Sequence, residues 1–375
     1  MFGDLDGLAW NLGNPDGAVV PNPNPFEVAD PGGDTAFRPM KGPMTTQSLR
    51  GLANHGPLHW RGDRFGPAPH DEIAAFEQFN GAFVSLLGRS APLSDEEMHA
   101  FAEFALQITY PPNPIRNLDD TLTPAQADGR MIYQGLVSDG VRTCDGCHVL
   151  DRAAGFFGTD GDSSFDREPQ DFKIPHLRNA YQKVGMFGMP VIPTIRAADG
   201  ASMGEQVRGF GFLHDGSIDT IARFLSTTVF SLSSEQARDV EAFVLAFDSN
   251  LAPIVGQQVT LTPTNAAAAG PRIDLLLAAG AAPVAACDVV VHGILNGVPR
   301  GWVRLPSGRF RSDRKVDPEL TDRDLRAQAG VAEQERTWTC VPPGSGVRLG
   351  IDRDEDGCLD GDDPEPEDRT VGCAG

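Results

Sequence analysis

The chain has 375 residues, of which 40% are hydrophobic, and this length predicts two or three domains that can bury a core. The 52 acidic residues outnumber the 31 basic ones, giving a formal net charge of -21. Because an acidic surface of this size repels phosphate backbones, the composition argues against nucleic-acid binding. No apolar run is long enough to cross a bilayer, so the sequence predicts no transmembrane segment.

Residues 1–45 are predicted to be mostly loop, and helices are predicted where apolar residues recur at spacings of three and four behind a capping residue. The segments that meet this description are 71–87, 95–108 with a Ser94–Glu97 capping box, a helix that starts at Thr123-Pro124 and runs through Tyr133, and a helix from Ser233 or Ser234 to about Phe247.

After Asn250 the apolar period changes to two, which predicts strands at 259–261 and 273–277. Residues 287–305 indicate a hairpin that turns on Asn296-Gly297. We therefore place a domain boundary near residue 251.

Six cysteines divide into a close pair and four that are scattered through the C-terminal third: Cys144 and Cys147, then Cys287, Cys340, Cys358 and Cys373. Scattered loop cysteines indicate disulfides, and therefore a periplasmic or exported protein. Four cysteines allow three pairings, among which we favour Cys358 with Cys373 and Cys287 with Cys340. Residues 1–17 lack the features of a secretory signal, so we expect the start of this chain to be truncated or wrongly assigned.

The segment Cys144-Asp145-Gly146-Cys147-His148 is the most informative motif in the chain. Two thiols at this spacing form thioethers with the two vinyl groups of one haem, and the adjacent His148 becomes the proximal iron ligand. A thioredoxin-like redox pair would follow a strand, whereas a helix and a loop are predicted here. A zinc site would need a second ligand pair nearby. The sequence therefore predicts one covalent haem c.

The distal side of this haem has several candidate ligands. Met186 or Met189 lies where a downstream loop can fold back over the iron, and Met203, His214 and Tyr181 compete with them. Methionine–histidine ligation favours electron transfer, whereas an open sixth position favours peroxide chemistry. The sequence leaves this choice open.

Several short segments surround the haem motif in a definite order: Ser48–Asn54, His59–Arg64, Leu122–His148, Ile174–Asn179, Phe212–Ser217 and Leu232–Glu235. Over about residues 40–248 this order resembles that of the bacterial di-haem cytochrome c peroxidases and the related methylamine-utilisation di-haem enzyme. In that family each haem has its own domain, and a tryptophan passes electrons from the C-terminal haem to a peroxidatic N-terminal haem.

The resemblance implies that Cys144, Cys147 and His148 hold the C-terminal haem and that Trp60 is the electron relay, although a loop aromatic that packs on a helix fits Trp60 equally well. It also places Arg178 where a guanidinium can pair with a haem propionate, although an arginine that caps local carbonyl groups fits equally well. The sequence has no second CxxCH motif, so this chain cannot hold the peroxidatic haem covalently. We interpret residues 1–115 as the remnant of that first haem domain with linker helices.

An acidic segment near the C-terminus has the spacing of a calcium loop. Carboxylates stand at positions 1, 3, 5, 9 and 12, a glycine at position 6, and a backbone carbonyl is expected as ligand at position 7: Asp352, Asp354, Asp356, Asp360, Asp363, Gly357 and Cys358. Because Pro364 excludes an ordinary exiting helix, the segment resembles the single calcium loops of thrombospondin type-3 or dockerin-like repeats. The alternative is a solvated acidic tail.

Together these features predict a mainly α protein. We expect a cytochrome c-like helical haem domain over 116–250, a β-rich domain over 251–348 and an acidic calcium-loop tail over 349–375. The leading hypothesis is a haem protein that carries electrons to or from a redox partner protein or a small-molecule oxidant. One alternative is a peroxidase or oxygenase that reacts at this haem. Another is an exported calcium-dependent binding module with a vestigial haem.

Overall fold

A computed structural model describes residues 9–10, 18–21, 36–37, 44–68, 71–149, 172–185, 211–216, 218–281 and 283–373. These residues divide into two compact units, the first within Met1–Pro111 and Leu122–Asn250 and the second within Pro112–Thr121 and Leu251–Gly375. The finer division that the sequence suggested stays a prediction. Among the described residues, no helix is both long enough and apolar enough to cross a membrane.

The first unit contains short elements. Four two-residue strands form two antiparallel pairs, β1 Ala9–Trp10 with β4 Met44–Thr45 and β2 Val20–Pro21 with β3 Ala36–Phe37. The helices are α1 Glu72–Glu77, α2 Asn80–Ser85, α3 Asp95–Leu106, α4 Pro124–Gly135, α5 Ile221–Leu225 and α6 Ser234–Leu245, with a 3-10 turn at Ala180–Gln182. The helix expected over 71–87 is therefore two helices.

Side-chain caps fix where the three longest helices of this unit begin. Capping boxes join Ser94 to Glu97, Thr123 to Gln126 and Ser233 to Gln236, at the starts of α3, α4 and α6. In each box the hydroxyl accepts a backbone N–H of the first turn, and the Glu or Gln side chain accepts the backbone N–H of the capping residue. The predicted starts of these helices are thus confirmed.

The helices α4 and α6 cross at close range. A Cβ atom built on Gly129 would lie 1.9 Å from the carbonyl oxygen of Asp239, so only glycine permits this approach. One turn further along α4, Tyr133 packs edge-on against Phe243 and Phe247, with ring centroids 5.4 and 5.3 Å apart. This crossing fixes the C-terminal end of α4, and the CxxCH segment begins nine residues after that end.

The second unit is built on a five-stranded antiparallel sheet with the order β5-β9-β6-β7-β8. Its strands are β5 Gln258–Leu261, β6 Asp288–Leu295, β7 Val298–Arg304, β8 Phe310–Ser312 and β9 Arg336–Val341, and its helices are α7 Ala266–Ala279, α8 Asp322–Ala329 and α9 Gly346–Gly350. The predicted hairpin is confirmed as β6–β7. Asn296 and Gly297 turn it with positive φ angles of 52° and 80°, which these two residues tolerate.

The two faces of this sheet carry different apolar clusters. One face packs against α7 and includes Val289, Val291, Trp302 and Trp338. The other face carries a smaller cluster of Val290, Val303, Val341, Ile351 and Leu359. Successive residues of β6 therefore contribute to opposite faces, as expected for a strand that is covered on both sides.

The strand predicted over 273–277 is wrong, because these residues belong to α7. The buried residues of α7 are Ala269, Ile273 and Leu276, at spacings of four and three that identify one face of a helix. Because Leu275 and Leu277 are also apolar, the segment shows an alternation that resembles a strand when it is examined alone.

The prediction of a mainly α fold is also wrong. Helices make up 29% of the structure and strands 15%. The five-stranded antiparallel sheet is the framework of the second unit. Within 116–250, a cytochrome c-like helical domain is not found, since the described residues between α4 and α6 are mainly turns and loops with the five-residue α5. The 42 glycines and 30 prolines interrupt regular structure between the few segments that have helical periodicity.

Two disulfides join Cys287 to Cys340 and Cys358 to Cys373, the pairing that the sequence favoured. Both lie in the second unit. Disulfides persist in oxidising compartments, so their presence fits a secreted or periplasmic protein.

Candidate functional site

The CxxCH segment forms a single helical turn after α4. The backbone N–H of His148 donates to the carbonyl of Cys144 over 2.8 Å, and that of Cys147 donates to the same carbonyl over 3.2 Å. Cys144 and Cys147 are not joined in a disulfide, and both are half-buried. The turn therefore keeps two reduced thiols and an imidazole close together in the chain.

Tyr133 attaches this turn to the α4–α6 crossing. Its hydroxyl donates to the carbonyl of His148, and its own carbonyl accepts the backbone N–H of Asp145 over 3.2 Å. Because the Tyr133 ring is fully buried against α6, both ends of the motif are held to the packed helix pair. Sequence periodicity predicted only that Tyr133 lies in a helix, and it did not predict this role.

The imidazole of His148 has a defined tautomer. Its Nδ1 lies 2.7 Å from the carbonyl oxygen of Pro175, which can only accept a hydrogen bond. Nδ1 therefore carries the proton, and Nε2 has the free lone pair that a metal requires. Burial lowers the pKa of His148, which keeps the ring neutral at neutral pH. No sequence feature assigned a role to Pro175.

Each of the two thiols has a polar neighbour. The Sγ of Cys144 lies 3.9 Å from the hydroxyl of Ser138, and the Sγ of Cys147 lies 3.8 Å from Nη1 of Arg142. Burial raises the pKa of the Cys144 thiol by more than the Ser138 hydrogen bond lowers it. Reactive redox cysteines have a lowered pKa instead, so the surroundings of Cys144 do not favour a thioredoxin-like nucleophile at this position.

Arg178 is 1% exposed, and its guanidinium contacts other groups of the protein. Its Nη2 donates to the carbonyl of Gly51 over 2.8 Å, and its guanidinium lies over the Tyr110 ring, 5.2 Å from the centroid. These contacts match the carbonyl-capping alternative. The pairing of Arg178 with a haem propionate stays a prediction.

A buried basic cluster includes Lys173, two residues before Pro175, and was not found from the sequence. Lys173 donates to the carbonyl of Pro57 over 2.6 Å, and its Nζ lies 3.5 Å from Nδ1 of His55. The His55 ring packs edge-on against His176, with centroids 4.5 Å apart. Burial, reinforced by the charge of Lys183, lowers the pKa of Lys173 to about 7. An isolated lysine in a sequence gives no signal of such burial.

Trp60 is buried next to Met44 and Phe172, and its indole N–H donates to the carbonyl of Thr45 over 2.7 Å. Phe172 in turn stacks on His214, with ring centroids 4.1 Å apart and an angle of 16° between the rings. Trp60 thus has a structural role in the core, and its electron-relay role stays a prediction.

The distal-ligand candidates are divided between described and undescribed parts of the chain. Met186, Met189 and Met203 lie outside the described residues. His214 stacks on Phe172, and Tyr181 is buried. The choice of distal ligand stays a prediction.

The acidic loop brings part of its predicted ligand set together. Carboxylate oxygens of Asp352, Asp354 and Asp356 all lie within 4.8 Å of one another. The carboxylate of Asp360 binds Arg353 instead. It accepts the backbone N–H of Arg353 over 2.8 Å and lies 3.5 Å from the Nε of Arg353. The Cys358 sulfur is bonded in the Cys358–Cys373 disulfide. The group that the loop pattern uses as a metal ligand at this position is the backbone carbonyl oxygen of Cys358.

Comparisons with known proteins give little guidance. No protein-family model matches the chain, and no curated protein matches it significantly. Among solved structures, hydrazine synthase from Kuenenia stuttgartiensis pressurised with 20 bar xenon is similar at 16% identity and a TM-score of 0.37, covering 64% of this chain and 77% of that one. A similarity of this extent is distant and assigns neither a fold nor an activity.

Proposed function

We propose that this chain is a c-type haem protein that carries electrons, with one haem attached to Cys144 and Cys147 and with His148 as proximal iron ligand. The observation that carries the proposal is the 2.7 Å contact between Nδ1 of His148 and the carbonyl of Pro175. Metal-binding histidines regularly donate their second ring N–H in this way, which fixes the tautomer and orients the ring.

The other contacts of the turn support the same function. Neither thiol is in a disulfide, and both lie in one helical turn with the histidine. A bound haem would supply one-electron chemistry between ferrous and ferric iron. The chain would keep the imidazole neutral by burial and hold the turn in place through Tyr133. These are positioning functions, which suit a carrier that changes little between its redox states.

We also propose that the protein works in the periplasm or outside the cell. The support is the pair of disulfides in the second unit, which would be unstable in a reducing cytosol. The partner stays a prediction, either a redox protein or a small-molecule oxidant.

Haem attachment is tested by expressing the chain with an added export signal and the cytochrome c maturation machinery, followed by a pyridine haemochrome spectrum. We expect one covalent haem per chain in the wild type and none in the Cys144→Ala/Cys147→Ala variant. His99→Ala changes an exposed histidine of α3 and serves as the control for His148→Ala. A wild type without haem bands, or a double variant that retains covalent haem, would contradict the proposal.

The carrier function is tested separately from attachment. We expect a reversible one-electron redox titration and slow or absent binding of carbon monoxide to the ferrous protein, because a carrier has a side chain at the sixth position. Rapid carbon monoxide binding would instead support a peroxidase or oxygenase that reacts at this haem, and it would contradict the carrier function.

A further inference from the structure

We propose that residues 352–363 form a site for one calcium ion, which also holds the C-terminal tail against the sheet of the second unit. The ligands would be the carboxylates whose oxygens turn into the loop: Asp352, Asp354, Asp356 and Asp363. This proposal concerns the second unit alone and does not depend on the haem.

The principal observation is a group of buried carboxylate oxygens without a hydrogen-bond donor among the described residues. They are Oδ1 of Asp352 and the Oδ2 atoms of Asp354, Asp356 and Asp363. The whole side chain of Asp352 is only 6% exposed, and one of its oxygens lies within 4.8 Å of oxygens from Asp354 and Asp356. An unsatisfied buried oxygen costs free energy, and one cation satisfies several such oxygens at once.

The second oxygen of three of these carboxylates is held by the loop backbone. Oδ1 of Asp354 accepts the N–H of Asp356 over 3.2 Å, and Oδ1 of Asp356 accepts the N–H of Cys358 over 2.6 Å. Oδ1 of Asp363 accepts the N–H of Glu365 over 2.9 Å. Each of these side chains is therefore oriented in advance, with one oxygen left for a ligand.

The neighbouring arginines pair with carboxylates other than the proposed ligands. Arg353 pairs with Asp360 and Glu367, and Arg369 pairs with Glu355. The ligand set thus concentrates negative charge that a divalent cation would neutralise.

The donor chemistry favours calcium over other metals. The proposed ligands are all carboxylate oxygens, and the nearby Cys358 sulfur is already in a disulfide. Zinc and copper prefer nitrogen or sulfur donors. Magnesium retains most of its water molecules, whereas calcium accepts many protein oxygens in a flexible loop.

The loop packs on the sheet through two apolar residues that flank three of the four proposed ligands. Ile351 immediately precedes Asp352, and Leu359 follows Cys358; both are buried with Val290, Val303 and Val341. An ion that fixes the loop between Ile351 and Leu359 would therefore also fix both residues against the sheet. Calcium binding and tail docking are coupled for this reason.

The structure also revises the ligand set that the sequence suggested. Asp360 was expected at position 9, but its two oxygens face Arg353. We therefore leave Asp360 out of the proposed ligand set. Its substitution by asparagine should change calcium affinity less than threefold.

The test is a calorimetric calcium titration of the metal-free full chain. We expect one site per chain with a dissociation constant on the order of 10⁻³ M or tighter, as in other extracellular calcium modules. Asp354→Asn should weaken binding at least tenfold. Glu355→Gln removes the same charge from the adjacent exposed position and should leave the affinity within about twofold.

A second readout guards against misfolding of the variant. The near-ultraviolet circular dichroism of the buried Trp302 and Trp338 reports whether the sheet remains folded. If Asp354→Asn unfolds the sheet, Asp356→Asn takes its place in the titration. No binding at about 10 mM calcium, equal weakening by Glu355→Gln, or equal affinity for magnesium would overturn the proposal.

Discussion

The two candidate sites differ in how their parts are distributed along the chain. All the proposed calcium ligands lie within twelve consecutive positions, 352–363. The CxxCH turn occupies 144–148, but the carbonyl that fixes its histidine belongs to Pro175, 27 residues further on. A site whose groups are contiguous can be identified almost completely from its spacing, whereas a site that depends on a distant backbone group is identified only in part.

The supports of the two sites differ as well. The acidic loop is attached to a sheet whose strands are joined by hydrogen bonds, and the Cys287–Cys340 disulfide links β9 to the residue before β6. A second disulfide, Cys358–Cys373, lies within the tail itself. The CxxCH turn depends on the close crossing of α4 and α6 and on the Tyr133 contacts. This contrast predicts that the units respond differently to the same kind of change.

The largest expected effect on stability comes from the buried disulfide of the second unit. Cys287→Ala/Cys340→Ala opens a loop of 53 residues, for which chain entropy predicts a loss of about 4 kcal/mol. Urea unfolding, followed by circular dichroism, should show the transition of the second unit moving while that of the first unit stays in place. Equal shifts of both transitions would contradict the independence of the two units.

The crossing of α4 and α6 is the corresponding weak point of the first unit. Gly129→Ala places a methyl group against the Asp239 carbonyl and should cost about 2–3 kcal/mol through overpacking. Gly135→Ala in the same helix meets no atom within 4 Å and should be neutral or slightly stabilising. If the two variants have the same unfolding midpoint, the crossing is not as close as described.

The smallest expected effect is a pH dependence specific to the first unit. Burial lowers the pKa of Lys173 to about 7, so the unfolded chain binds more protons between pH 7 and the ordinary lysine pKa of 10.5. The unfolding free energy of this unit should therefore rise with pH across that window. Lys183, with a pKa lowered by burial to about 8, contributes in the same direction.

Lys173→Met should flatten this pH dependence in urea unfolding at pH 7, 8.5 and 10, values that span the window. Lys315→Met removes an exposed lysine of the second unit and is the matched control, which should leave the dependence unchanged. A pH profile that stays as steep in Lys173→Met as in the wild type would show that this ammonium group is not buried.

Local signals in the sequence were sufficient for several elements. Thr123 with Gln126 predicted the start of α4, and Asn296-Gly297 predicted the β6–β7 turn, because each depends on residues within a few positions. The CxxCH turn and the acidic loop were found for the same reason. The favoured disulfide pairing also occurs in the structure.

Features that depend on tertiary packing were missed. The alternation of Leu275 and Leu277 suggested a strand, because an apolar pattern alone does not show which residues of the segment are buried in the fold. The partner of His148 at Pro175 and the burial of Lys173 arise from chain segments that meet only in the folded unit. Asp360 fits the calcium spacing, yet a neighbouring arginine occupies it. Spacing identifies the candidate groups, and folding decides which of them remain available.

The most direct test of the central claim is the mass of the tryptic peptide Thr143–Arg152, taken from protein matured in the presence of haem. We expect this peptide to carry one haem covalently bound through both cysteines. A peptide with two unmodified thiols, or with a Cys144–Cys147 disulfide, would contradict it.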